Sequence, residues 1–163
     1  MTTFRRPPLG RALLAAAALV LAGVAAAGAA APSSSLTPEE IIAARQAAYD
    51  LSVMDMAEMK MAIKDGLDIR KQFYPAKTLG RWARVLPTLF PPGTGQGETT
   101  LATHARPEIW TNRADFEKAA QNYAAAADKL AETAQSGDAS AFAAQLEATD
   151  KTCDSCHDRF KAK

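Results

Sequence analysis

Near one end of the chain stand Cys153, Asp154, Ser155, Cys156 and His157, and Cys153 and Cys156 are its only cysteines. Two thiols separated by two residues, with an imidazole directly after the second, form the C-x-x-C-H attachment motif of c-type heme. The spacing suits that chemistry. Thiols three positions apart reach two neighbouring vinyl groups on one porphyrin edge and form thioethers. The histidine that follows then comes under the ring, where it can bind iron from one face.

Other chemistries of the same residues fit less well. A thioredoxin-like redox pair needs a C-x-x-C beside a βαβ unit, and none is legible here. A zinc site would use Cys153, Cys156 and His157 with His104 as the remaining donor, and adjacent Cys156 and His157 make awkward tetrahedral ligands. Two cysteines placed by chance on one helix face, just before a histidine, are harder to accept than a covalent heme. No acid–base pair or nucleophile arrangement stands out beside the motif, so catalysis is not expected.

The elements that must position this motif read as helices. β-Branched and aromatic residues are sparse while Ala, Glu, Lys, Gln, Leu and Met are common, a balance that favours helix over strand. Thr37-Pro38-Glu39-Glu40 has the form of a capping box with proline at the first helical position. Ile41, Arg45, Tyr49, Val53, Met56 and Ile63 then recur at helical spacing as far as Lys64-Asp65-Gly66. A second helix is predicted from about Phe73 to Leu86, ending near Pro87. The stretch from Phe90 to about Arg106 is too rich in Pro and Gly for regular structure, and its length suggests that it covers something. A third helix is predicted from near Asn112 to Ser136-Gly137. A fourth, capped by Asp138, carries Phe142, Leu146, Thr149 and the motif itself. Short links between long amphipathic helices point to an all-α, antiparallel four-helix bundle.

The first 31 residues differ in kind. Arg5, Arg6 and Arg11 make a basic start, Ala12 to Val24 an apolar run, and Ala25 to Ala31 a small-residue tail. That layout is a secretory signal peptide, with Ala27-Gly28-Ala29 as the cleavage pattern. The expected organisation is a removed leader at 1–29 and one domain at 30–163. A membrane anchor is the alternative, since Ala12 to Ala31 is uncharged, but alanine adds little insertion energy. Arg5-Arg6 is followed by Pro7-Pro8 and reads as an ordinary basic start, not a twin-arginine signal. Without the leader, 19 basic residues become 16 against 18 acidic ones, a net charge of −2. A mildly acidic domain without a basic block has no electrostatic footprint for nucleic acid.

The terminal motif, Arg45-Gln46 in the first helix, the Pro-Gly loop and Ala105-Arg106-Pro107-Glu108-Ile109-Trp110 together resemble the cytochrome c′ family, the class II c-type cytochromes, over Glu39 to Lys163. The resemblance implies one covalently bound heme c. Cys153 and Cys156 match the thioether cysteines and His157 the axial iron ligand. Arg45 and Gln46 match residues on the propionate side, and Tyr49 the position facing iron from the distal side. It implies a periplasmic protein with five-coordinate iron that binds NO or CO and passes single electrons to a periplasmic redox partner. A homodimer through the first two helices is a further expectation. A methionine-ligated, six-coordinate electron carrier is the alternative, with Met56, two turns beyond Tyr49, as ligand. Otherwise Met54, Met56, Met59 and Met61 are expected to fill an irregular core. His104, in the loop, is expected to be solvated. Asp154 stands where a basic residue is usual, and Phe160-Lys161 where an aromatic is followed by arginine. Both changes alter charge beside His157 without removing a ligand.

Overall fold

The computed structural model describes residues 35–163, so the leader at 1–29 lies outside them. The described chain forms α1 (Pro38–Lys64), α2 (Phe73–Val85), a single turn α3 (Glu108–Thr111), α4 (Arg113–Ser136) and α5 (Ala139–Phe160). The four long helices make the bundle. Among the described residues no helix is long and apolar enough to cross a membrane.

Local chemistry sets the ends of these helices. The Glu40 amide donates to the Thr37 hydroxyl at 3.2 Å, and the Thr37 amide donates to the Glu40 carboxylate at 2.8 Å. Both partners of the capping box are therefore in place, satisfying two amide donors that the first turn leaves open. Pro87 ends α2 at Val85, and the chain continues as a 3₁₀ turn over Leu86–Leu89. Gly137 closes α4 at φ 75°, a left-handed conformation that side chains disfavour. Asp138 then opens α5 by accepting from the Ala141 amide at 2.9 Å.

Packing is tightest between α4 and its neighbours α2 and α5, and small residues make it so. Ala120, Ala124, Ala127, Ala131 and Ala134 of α4 are buried, as are Ala76, Gly80 and Ala83 of α2. A β-carbon added at Gly80 would stand 3.7 Å from the Ala127 methyl and 2.8 Å from an Asp128 carboxylate oxygen. Larger anchors fill the ends. Phe90, Phe116 and Phe160 stack edge to face, with centroids 5.0 and 5.2 Å apart, and close the bundle beside the C-terminus of α5.

Helix α1 is packed differently. Its buried positions are Ile42, Arg45, Met56, Met59 and Ala62, and between Arg45 and Met56 none is buried. The interrupted pattern has a physical reason: Tyr49, Ser52 and Val53 in that stretch line a cavity. The methionines divide accordingly. Met56 and Met59 point inward, whereas Met54 and Met61, one heptad apart, lie on the outer face at 66% and 60% exposure. The expectation that all four fill the core is thus corrected for Met54 and Met61.

Candidate functional site

A cavity of about 330 Å³ opens between α1, α2, α4 and α5. Helix α1 contributes Tyr49, Ser52, Val53, Met56, Ala57 and Lys60; α5 contributes Cys153, Cys156 and His157. Its size lies in the ordinary range for small-molecule and cofactor sites. The i, i+3 spacing of Cys153 and Cys156 puts both thiols on the cavity face of α5, and they are unbridged. Lys60 of α1 pairs with Asp150 of α5 at 2.8 Å along the rim. Both partners are about half exposed, so the pair steers register more than it stabilises.

The electrostatics of the cavity favour neutral groups. Burial, and then the neighbouring Cys153, push the Cys156 thiol up to about 11. Burial likewise raises Cys153, with Asp150 and Asp154 adding to it. Both groups are therefore held as thiols at neutral pH, without the depressed pKa of a reactive redox cysteine. Nor do any three His, Cys, Asp or Glu side chains gather to hold a metal ion among the described residues. His104 is exposed in the loop, as expected. Burial first, then Lys161, lower the His157 pKa, which keeps its imidazole neutral and able to donate a lone pair.

Tyr49 lies in the cavity, where its ring meets Trp82 edge to face, with centroids 5.3 Å apart and planes at 88°. Burial raises its pKa well above the usual phenol range; the charge of Cys156 adds to the rise and that of Arg45 opposes it. Tyr123 of α4 also lines the cavity and is raised by burial, then by Cys153. Burial thus favours the neutral phenol at both positions. The sign of the linkage follows. The unfolded chain releases these protons near pH 10, the ordinary phenol value, while the folded chain holds them. Their contribution to stability is therefore complete below pH 10 and declines as pH rises above it. An ultraviolet phenolate titration is expected to leave Tyr49 and Tyr123 silent until the protein unfolds in alkali.

Arg45 and Gln46 do not line this cavity. The Arg45 guanidinium, 2% exposed, donates to the Leu89 carbonyl (3.2 Å), the Thr94 hydroxyl (2.9 Å) and carbonyl (2.6 Å), and the Thr103 hydroxyl (2.7 Å). It also lies 4.3 Å from the centroid of the Phe90 ring. Gln46 donates to the Ala102 carbonyl at 2.9 Å. Both side chains thus bind the long loop, and no carboxylate among the described residues pairs with Arg45. The loop does cover something: it covers Arg45.

Trp82 and Tyr123 also belong to the cavity, and residue type alone does not set them apart from ordinary core aromatics. The signal available was their polar handle at a core position. The Trp82 indole N–H is buried and finds no hydrogen-bond partner among the described residues. An unmet donor in the wall of a mostly apolar cavity calls for an acceptor on whatever fills it. Together with two unbridged thiols and a neutral imidazole on the opposite wall, this fits a porphyrin with polar edge groups. Cys153 and Cys156 would be the residues to bond it covalently, and His157 the one to supply a ligand to its metal.

A helical bundle with such a cavity and a terminal C-x-x-C-H is a c-type cytochrome of the four-helix class. The family model described as cytochrome c′ matches residues 40–161. The chain belongs to the cytochrome c′ family, and its cofactor is one covalently attached c-type heme. It is 31% identical over 129 residues to a cytochrome c′ of Allochromatium vinosum, covering 78% of this chain and 84% of that protein. Among solved structures, a cytochrome c′ described as having an unusual ligand-controlled dimer dissociation superposes with a TM-score of 0.75 at 30% identity, covering 79% of this chain and 99% of that one. The cytochrome c′ of Thermochromatium tepidum superposes with a TM-score of 0.72 at 29% identity, covering 78% and 98%.

Proposed function

We propose that this chain is a periplasmic monoheme cytochrome with five-coordinate iron, which binds NO or CO on the Tyr49 side and passes single electrons. In this reading Cys153 and Cys156 form the thioethers, His157 is the axial ligand, and the role is that of a carrier and gas binder, not a catalyst. The observation that carries it is the cavity wall opposite His157. Tyr49 presents a neutral phenol there, a poor iron ligand beside a thioether or an imidazole. Tyr49 of α1 lines the same cavity as Cys156 and His157 of α5, which supports Tyr49 as the distal residue. Export of the chain by residues 1–29 is part of the proposal.

A second reading has one observation in its favour. Met56 is buried and lines the same cavity, so a six-coordinate, methionine-ligated carrier is its consequence. An absorption spectrum of the holoprotein separates the two. A high-spin ferrous spectrum that changes with CO or NO is expected; a low-spin spectrum indifferent to CO would establish the Met56 version. Absence of a Soret band from protein made in a maturation-competent host would end both readings.

Tyr49 also sets a rate. An entering ligand must turn the phenol aside and loosen its contact with Trp82, and such aromatic pairs are worth about 0.5–1.5 kcal/mol. Tyr49→Ala is therefore expected to speed CO association by roughly twofold to tenfold in flash photolysis. An unchanged rate would remove Tyr49 as the gate.

A homodimer is the remaining part of the proposal. Leu51, Met54 and Met61 form an apolar stripe on the outer face of α1, at 60%, 66% and 60% exposure. Helix α1 is the element through which pairing is expected, and that stripe supports it. Sedimentation of the holoprotein at micromolar concentration tests this directly.

A further inference from the structure

The axial histidine stands on the last turn of α5. Helix ends fray, because their final carbonyls have no partner within the helix. His157 is three residues from Phe160, where α5 stops. A ligand in that position is only as fixed as the turn that bears it.

The turn is fastened from outside. The Lys161 amide donates to the His157 carbonyl at 3.1 Å, and Lys161 forms an isolated antiparallel bridge with Ala105 of the long loop. On either side of that bridge the Arg106 amide donates to the Phe160 carbonyl at 3.0 Å, and the Ala162 amide to the His104 carbonyl at 2.8 Å. The loop strand is held in turn by Thr103. Its buried hydroxyl accepts from the Ala105 amide at 3.3 Å and from Arg45 of α1 at 2.7 Å. The connection is continuous, from the helix bearing Tyr49, through Arg45, Thr103 and Ala105, to the carbonyl of His157.

We infer that Thr103 is a positioning residue for the axial histidine: its hydroxyl fastens the 104–106 strand to Arg45, and that strand keeps the last turn of α5 from fraying. The inference rests on His157 as the axial ligand. Outer-shell hydrogen bonds of this kind orient metal ligands and tune the bond they make. The chemistry resides in the hydroxyl and not in the bulk of the side chain, so valine, which matches threonine in shape, isolates it.

The test compares wild type, Thr103→Val and Thr103→Ser as ferrous holoproteins. In Thr103→Val the amides of Lys161 and Ala162 are expected to exchange with solvent on the order of tenfold faster, as local opening loses about one hydrogen bond. The iron–histidine stretching band in the resonance Raman spectrum should broaden and shift to lower frequency. Thr103→Ser should restore both. Deleting Ala162 and Lys163, which removes the 2.8 Å bond to His104 from the other side, should reproduce the valine spectrum even if Thr103→Val folds poorly. Lower stability with an unmoved band would mean that Thr103 holds the loop alone, and would overturn the inference. So would a serine variant that behaves like valine. A wild-type protein that lacks the band although its ferrous absorption spectrum is high-spin would reject the axial-ligand reading itself, and the inference with it, whereas a band present but unmoved rejects the inference only.

Discussion

Cys153→Ala/Cys156→Ala is expected to abolish covalent heme: acidified acetone should strip all pigment from the double variant and none from the wild type. The two thiols face the cavity on adjacent turns of α5, and no other cysteine exists to replace them. Without thioethers the porphyrin is held by His157, by apolar contacts and by its edge groups alone. Tethering makes that binding intramolecular, with an effective concentration on the order of millimolar for a short link. Its loss should let heme dissociate from the variant at micromolar protein, read as decay of the Soret band when a heme-scavenging apoprotein is added. Each single variant should keep one thioether and resist extraction. The bundle itself should persist, because both cysteines are only partly buried and α4 packs on α2 through buried alanines and Gly80; far-ultraviolet circular dichroism checks this. Pigment resistant to extraction in the double variant would show attachment elsewhere.

The second large effect is expected at Arg45. Its guanidinium is buried without a carboxylate, so its charge is spread over four neutral oxygens and the face of Phe90. Hydrogen bonds to a charged group are worth about 1.5–3 kcal/mol each, set against the cost of burying the charge. Arg45→Met keeps much of the volume but leaves the Leu89 and Thr94 carbonyls and the Thr103 hydroxyl without their donor. We expect about 2–4 kcal/mol of lost stability, since part of the loop can relax toward water. The urea midpoint of the holoprotein should fall accordingly, and limited proteolysis should open the chain between Pro91 and Thr103 before it reaches the helices. Lysine should rescue little, because a single ammonium cannot span acceptors on both Thr94 and Thr103.

Some of this molecule was legible from residue order alone, and the reason is locality. The start of α1 depends on Thr37 and Glu40, three residues apart, and the α4–α5 corner on Gly137 and Asp138, so caps and turns announced both. The heme motif is local too. What could not be read depends on residues far apart. Arg45 meets Thr94 and Thr103 at separations of 49 and 58 residues, across a loop with no regular structure. Resemblance implies a place for Arg45 on the propionate side; its bonds to the loop are what residue order did not announce. The cavity wall has the same character: Trp82 and Tyr123 look like any core aromatic until α1 and α5 are set against them. The split of the α1 methionines was hidden because residues 54 to 61 hold four of them, and composition does not say which faces inward.

The sparse seating of α1 bears on the order in which the molecule is assembled. Helices α2, α4 and α5 lock together through alanine and one glycine, while the middle of α1 lines a cavity and meets α2 through Tyr49 on Trp82. A bulky planar pigment therefore need not be threaded into a finished barrel of helices. It can be welded to α5 while α1 still stands away, and α1 can then swing down over it, latched by Arg45 at one end and by Lys60 at the other. Helix α1 would then serve as a hinged wall, joined at Arg45 to the loop and at Lys60 to Asp150.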